Sequence, residues 1–260
     1  MEEKSIGFIG GGRIVRIFLE GFRRAKVHFQ KIMVSDTKPD ILHKLKGLFP
    51  YVEIYPDDNR TPASAELVFL ALHPPVLLDG LKDIKESLRA NSVLISLAPK
   101  ITLARISAAL GGFNRILRMI PNAPSIVNAG YNPVAFGAGI SQQEKDGLLS
   151  LFSALGKCPE VKEETLEAYA ILAAMGPTYF WFQWEELARM GGSFGIEPDE
   201  ARKAISQMIE GAAKTLFHSN LTAAEVMDLI PVRPLAEEED KIREVYRSRL
   251  GAWYEKPKSR

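Results

Sequence analysis

Of 260 residues only one is cysteine, Cys158, so no intrachain disulfide can staple this chain and a reducing, cytoplasmic setting is expected. Charge of one sign is not in excess either: 33 lysines and arginines against 32 aspartates and glutamates give a formal charge of +1. Surfaces built for nucleic acid or an anionic membrane carry a basic surplus, so neither partner is expected. No apolar run reaches the ~18 residues that mark a spanning helix. Met1-Glu2-Glu3-Lys4 runs straight into a short apolar stretch, without the basic and long hydrophobic segments of a secretory leader. Cys158 and His218 have no companions at metal-ligand spacing, and no metal site is expected. Internal repeats and low-complexity linkers are lacking as well.

What is present is an ordinary globular composition, 46% hydrophobic and 25% charged, with enough apolar material for a buried core. The length suits one large domain or two modest ones, at ~100–200 residues each. Ser5-Ile6-Gly7-Phe8-Ile9, Lys31-Ile32-Met33-Val34-Ser35, Leu67-Val68-Phe69-Leu70-Ala71-Leu72, Val93-Leu94-Ile95-Ser96-Leu97 and Ile116-Leu117-Arg118-Met119 are short, nearly continuous apolar runs. Helical patterns separate most of them, as with Ile14, Val15, Phe18, Leu19 and Phe22. Such alternation predicts a parallel sheet covered on both faces. After about Pro159 the strand-like runs stop, and helical segments are predicted near 163–191, 198–219 and 235–254. Glu197-Pro198-Asp199-Glu200 looks like a helix start, with proline at the first position. Glu237-Glu238-Glu239-Asp240 is read as a solvated helix N-terminus, where acids suit the dipole. The expected division is an α/β domain over 1–158 and an all-helical domain over 159–260.

Gly10, Gly11 and Gly12 sit where the first strand turns into the first helix. A tight turn there brings backbone N–H groups and the positive helix end to a pyrophosphate, and glycine permits close approach. Val15 stands where the fingerprint has its third glycine or alanine. Asp36 follows the second strand near the distance expected of a ribose-binding acid, ~20 residues on. Together these predict a doubly wound Rossmann domain holding NAD or NADP. A carboxylate at 36 accepts from the adenosine 2′-hydroxyl and repels a 2′-phosphate, which favours NAD. Ser35 and Lys38 pull the other way, since both are able to contact a phosphate.

Several stretches, taken in order, resemble the pyrroline-5-carboxylate reductase family. Gly7-Phe8-Ile9-Gly10-Gly11-Gly12 is similar to its GFIGxG start, and Val68-Phe69-Leu70-Ala71-Leu72-His73-Pro74 to its FLAVKP strand end. Arg118-Met119-Ile120-Pro121-Asn122-Ala123-Pro124 resembles RxMPNTP. The stretch 163–179, ending Met175-Gly176-Pro177-Thr178-Tyr179, resembles E…DA…SGSGPAY. Glu185-Glu186-Leu187 and the segment from Ala201 to Gly211-Ala212-Ala213 match the helices beyond. The resemblance runs to about residue 229. It implies hydride transfer from a reduced nicotinamide to the C=N carbon of a cyclic imine, giving proline. It also implies a C-terminal all-helical dimerisation domain, hence a homodimer or higher homo-oligomer around a small-molecule substrate. The expected cofactor contacts are Gly10, Gly11, Gly12, Arg13, Ile14, Ser35, Asp36, Asn59, Ala71, Leu72, His73, Pro74, Ala98 and Asn122.

Asn122 is a candidate donor to the carboxamide or substrate; the alternative is a turn former beside proline. Arg118 is read as a structural ion-pair residue rather than a catalyst. His73 replaces the family's lysine and is read as structural, with proton donation as the alternative. Gly176-Pro177 is expected to break or bend the first long helix. Thr178 and Tyr179 beyond it carry hydroxyls suited to placing a substrate, while Trp181 and Trp184 are read as packing residues. Two departures fall on the substrate side. Ala173-Ala174-Met175 replaces SGS, and 229–235, Leu-Ile-Pro-Val-Arg-Pro-Leu, replaces a loop of the SPGGTT type. Arg233 there is a candidate carboxylate clamp, completing a catalytic set of Thr178, Tyr179 and Arg233. Three readings stay open: the proline-type reductase, a reductase of another imine or 2-keto compound, and a non-catalytic dinucleotide-binding relative. Helices with aromatic, apolar faces, carrying residues such as Ile171, Tyr179, Phe180 and Phe182, are too apolar for a fully exposed small domain and argue for association.

Overall fold

In the computed structural model residues 4–255 are described. The first compact unit runs to Met175. Its strands are β1 (Ser5–Ile9), β2 (Lys31–Asp36), β3 (Glu53–Pro56), β4 (Leu67–Leu70), β5 (Val93–Ser96), β6 (Ile116–Met119), β7 (Gly130–Tyr131), β8 (Val134–Phe136) and β9 (Gly156–Lys157). Its helices are α1 (Arg13–Arg24), α2 (Pro39–Leu48), α3 (Arg60–Ala63), α4 (Pro74–Ile84), α5 (Leu103–Ala109), α6 (Gln142–Phe152) and α7 (Leu166–Tyr169). Seven strands make one sheet in the order β3-β2-β1-β4-β5-β6-β8, and only the β6–β8 pair is antiparallel. β7 and β9 pair separately. This is the doubly wound order, and it places the switch point between β1 and β4.

Each strand serves both faces because successive side chains point opposite ways. Ile6, Phe8, Phe69 and Ile95 pack with Val15, Phe18 and Leu19 of α1, Leu42 of α2 and Phe152 of α6. Ile9, Val68, Leu70 and Leu94 pack with Leu77 and Leu81 of α4 and Ile106 of α5. Side chains of this kind, fully withdrawn from water, each contribute about 1.5–3 kcal/mol. β3 and β8 extend the sheet beyond the five strands expected. β3 is an edge whose residues are half-buried or exposed, which is why no apolar run announced it.

The helical stretch expected over 163–191 is interrupted. A 3-10 turn (Glu163–Thr165) leads into α7, then a π turn (Ala170–Ala174) closed by Met175 N–H donating to Ala170 O at 2.9 Å. Pro177 opens a new helix at its first position, so Gly176-Pro177 breaks the stretch. The segment 159–175 does not leave the sheet unit at 158: Leu166 is fully buried with Ile120 and Ala135. The two compact units accordingly divide between Met175 and Gly176.

The second unit, Gly176–Glu255, comprises α8 (Pro177–Ser193), α9 (Pro198–His218), α10 (Ala223–Asp228) and α11 (Glu239–Glu255). α8 and α9 meet closely where a Cβ on Gly191 would lie 2.8 Å from that of Ala201. Among the described residues of this unit, only Gly176, Gly191 and Ala201 are buried, while Phe182 is 67% and Phe217 72% exposed. No helix among the described residues is long and apolar enough to cross a membrane.

Candidate functional site

The carboxyl ends of β1, β4 and β5 are tied together by their backbones. Ala71 N–H donates to Ile9 O at 2.8 Å, and Leu97 N–H to Leu70 O at 3.1 Å. The loops that leave these ends form the edge at which doubly wound sheets bind ligands. Gly10 turns out of β1 at φ +97°, and a Cβ there would sit 2.8 Å from Ala71 O. Glycine at 10 is therefore required by both conformation and packing. Gly12 differs. A Cβ on it meets nothing within 4 Å, and its φ is −70°, so neither the fold nor the backbone calls for glycine there. The open space lies at the start of α1, which has no side-chain cap and no acid in its first turn. Its positive end is thus left to an incoming anion. Arg13 is exposed and Ile14 half-buried in that first turn.

Asp36 is placed against the glycine turn. Its Oδ2 accepts from Gly11 N–H at 2.8 Å and its Oδ1 from Lys38 N–H at 2.9 Å. The carboxylate is half-buried beside the open end of α1, as a ribose-binding acid requires. Ser35 is not offered to a phosphate. It is fully buried, and its hydroxyl donates to Asn59 Oδ1 at 2.7 Å. Strand alternation turns Ser35 inward while Asp36 remains accessible. Asn59 stays half-buried at the start of α3, and Lys38 is exposed at the start of α2.

Ala71 and Leu72 are half-buried after β4; His73 is exposed and precedes α4, which Pro74 opens, and it makes no side-chain cap. Ala98 is 2% exposed, and its methyl group belongs to the core. Asn122 is committed internally. Its Nδ2 donates to Ala173 O at 2.7 Å, its Oδ1 accepts from Tyr131 N–H at 3.3 Å, and its own N–H donates to Asn132 Oδ1 at 2.8 Å. A side chain 4% exposed with both ends engaged holds the turn after β6 rather than a ligand.

Arg118 is 1% exposed, and its guanidinium donates to Glu163 Oε1 at 2.9 Å and Glu167 Oε1 at 2.8 Å. The same oxygens accept from Leu103 N–H at 2.7 Å and Lys100 N–H at 3.0 Å. Lys100 stands at φ +67°, a left-handed conformation that costs a non-glycine residue about 1–2 kcal/mol. Arg118 is thus the ion-pair residue expected of it, but its partners Glu163 and Glu167 were not named from sequence; their signal was two glutamates four apart beyond the apolar strand that carries the arginine. Cys158 donates from Sγ to Asn132 O, and burial pushes its thiol up to about 12, which leaves it unreactive at neutral pH.

The substrate-side candidates belong to the second unit. Thr178 and Tyr179 open α8, Thr178 exposed and Tyr179 half-buried with its ring 5.9 Å from that of Tyr246 on α11. Burial, then the neighbouring Tyr246, raises the Tyr179 phenol above its ordinary value, so it remains a protonated donor. Arg233 is exposed and its guanidinium is paired with Glu239. The clamp it was expected to offer is already closed on a carboxylate of this chain. Among the described residues no group of three acidic, histidine or cysteine side chains is placed to hold a metal ion.

Residues 5–100 match the family described as NADP oxidoreductase coenzyme F420-dependent, and residues 163–232 match the pyrroline-5-carboxylate reductase dimerisation family. The chain is 26% identical over 229 residues to a pyrroline-5-carboxylate reductase of Escherichia coli, covering 88% of this chain and 85% of that one. It is 29% identical over 216 residues to pyrroline-5-carboxylate reductase 3 of Xenopus laevis, covering 82% and 78%. The crystal structure of a Plasmodium falciparum pyrroline carboxylate reductase with NADP bound has the same fold, with a TM-score of 0.84 at 20% identity over 100% of this chain and 98% of that one. With both matched domains in order and the fold shared along its length, the chain is similar to the pyrroline-5-carboxylate reductases.

Proposed function

We propose that this chain is an NAD(P)H-dependent reductase that turns the cyclic imine 1-pyrroline-5-carboxylate into proline. The observation that carries the reading is Gly12, a glycine that neither packing nor backbone demands, at the uncapped start of α1 with Asp36 beside it. Space for a pyrophosphate and an acceptor for a ribose hydroxyl are what a dinucleotide needs there. The reduced nicotinamide supplies the hydride. This chain's part is to orient: the N–H groups at the uncapped start of α1 hold phosphate, Asp36 holds ribose, and the backbones after β4 and β5 shape the edge beside the ring. Tyr179 and Thr178 supply protonated hydroxyls for the substrate's acid or ring nitrogen. The NADP-bound parasite relative and the NADP-oxidoreductase family match support NADP, whereas the charge at Asp36 favours NADH.

The working form is a homodimer or a larger homo-oligomer. A helical unit in which the buried described residues are two glycines and an alanine has no core of its own. It gains one by packing against a second copy, as the matched dimerisation family does. Oxidation of NADH or NADPH, followed by absorbance with pyrroline-5-carboxylate and a panel of other imines and 2-keto acids, tests the reading. Turnover of the pyrroline acid above all others is expected; dinucleotide binding without turnover of any of them would sink it. One observation favours a second substrate class: 229–235 lacks the glycines and threonines of the family's loop, and Arg233 is held by Glu239. Preference for a different imine or a 2-keto acid in the same panel is the outcome that reading expects.

A further inference from the structure

The geometry points to Arg118, Glu163 and Glu167 as a positioning device that fixes the loop 97–102 and thereby sets the nicotinamide half of the dinucleotide. The loop leaves β5, one strand from the switch point, and begins at Leu97, whose N–H is fixed to the end of β4. In it Ala98 is anchored in the core, and Lys100 takes a left-handed turn. The cluster grips the loop at two amides. Glu167 Oε1 accepts Lys100 N–H, and Glu163 Oε1 accepts Leu103 N–H where α5 starts. Arg118 holds both carboxylates from beneath, with its side chain 1% exposed. Among the described residues three buried side-chain polar atoms are left without a hydrogen-bond partner: Ser96 Oγ, Arg118 Nε and Glu167 Oε2. Ser96 and Arg118 are register partners on β5 and β6, so both side chains lie on one face of the sheet at its carboxyl edge. Burial of this much polarity against a loop, where an apolar cluster would pack at less cost, is the mark of geometry being specified rather than stability being gained.

The device touches neither Asp36 nor the glycine turn, which hold the adenosine and pyrophosphate side. It therefore acts on the nicotinamide side alone. This rests on the dinucleotide reading given above, and the test separates the two. Two carboxylates face one guanidinium, so Glu167→Gln leaves Arg118 a counter-ion and keeps the fold, whereas Glu167→Ala removes the grip on Lys100 outright. Amide hydrogen exchange in the ligand-free protein should show Lys100 protected in the wild type and exchanging at least tenfold faster in Glu167→Ala, with Glu167→Gln between. Affinity for ADP-ribose should change less than twofold in both variants. NADH affinity should fall at least fivefold, and kcat with the preferred substrate at least tenfold, both partly restored in Glu167→Gln. Equal weakening of ADP-ribose and NADH, or unchanged exchange at Lys100, would overturn the positioning role. If the wild type binds neither ligand, the dinucleotide reading fails, and the exchange at Lys100 decides the clamp by itself.

Discussion

Replacing Asp36 by asparagine changes one charge at the glycine turn and keeps one oxygen to accept the Gly11 N–H, now 2.8 Å from Oδ2. In NADPH the 2′-phosphate replaces the hydroxyl that this carboxylate would accept. Two unit charges ~4 Å apart repel by about 4 kcal/mol at an effective dielectric constant near 20. Asp36 is half-buried, and solvent and salt reduce that to about 1–2 kcal/mol. NADH meanwhile loses an ionic acceptor for its ribose hydroxyl, worth about 1 kcal/mol. The two effects, about 2–3 kcal/mol together, raise the ratio of kcat/KM for NADPH over NADH by ~30–150-fold in Asp36→Asn. Steady-state rates with each cofactor at fixed substrate measure the ratio, and dinucleotide titration measures its binding part. A ratio unmoved by the substitution, in a protein that unfolds at the wild-type temperature, would refute the placement of the ribose at Asp36.

Gly10 and Gly12 should separate folding from binding. Gly10→Ala forces a side chain into φ +97° and against Ala71 O, and should cost at least about 1–2 kcal/mol in thermal or denaturant unfolding. Gly12→Ala should cost less than about 1 kcal/mol in unfolding, because its Cβ meets open space and only the N-cap preference for glycine is lost, yet weaken dinucleotide binding at least ~10-fold in the same titration. Arg115 and Ser141 hold the Glu144 carboxyl at about 2, below its ordinary value of 4.5. Its contribution to stability is complete above 4.5 and is lost as the pH falls toward 2, so the unfolding midpoints of wild type and Glu144→Gln should converge over that range. Phe182→Glu, at an exposed position of α8, should convert the oligomer to smaller species in light scattering, and an unchanged mass would place the interface elsewhere.

The parts of the fold that sequence could reveal are those set by local pattern. β1, β4, β5 and β6 are nearly continuous apolar runs, and the Gly10–Gly12 turn is followed by Asp36 at the spacing a dinucleotide site has. β3 was hidden because an edge strand need not be apolar. The extent of the first unit was hidden because a helical pattern says which face is apolar but not which core receives it. Leu166 is received by Ile120 and Ala135, and that choice is tertiary. The same limit applies to polar side chains. Ser35, Asn122 and Arg233 have the right chemistry for ligands, yet their partners are Asn59, Ala173 with Tyr131, and Glu239. Only the folded chain shows that those hydrogen bonds are already made.

Hydride transfer to a pyrroline imine leaves proline as its product, and product analysis reads it directly. Purified protein is incubated with pyrroline-5-carboxylate and NADH or NADPH, and proline formed is counted against reduced nicotinamide consumed. One proline for each nicotinamide oxidised is expected, with the rate lowered in Gly12→Ala when the dinucleotide is limiting. Tight dinucleotide binding without proline formation would contradict it.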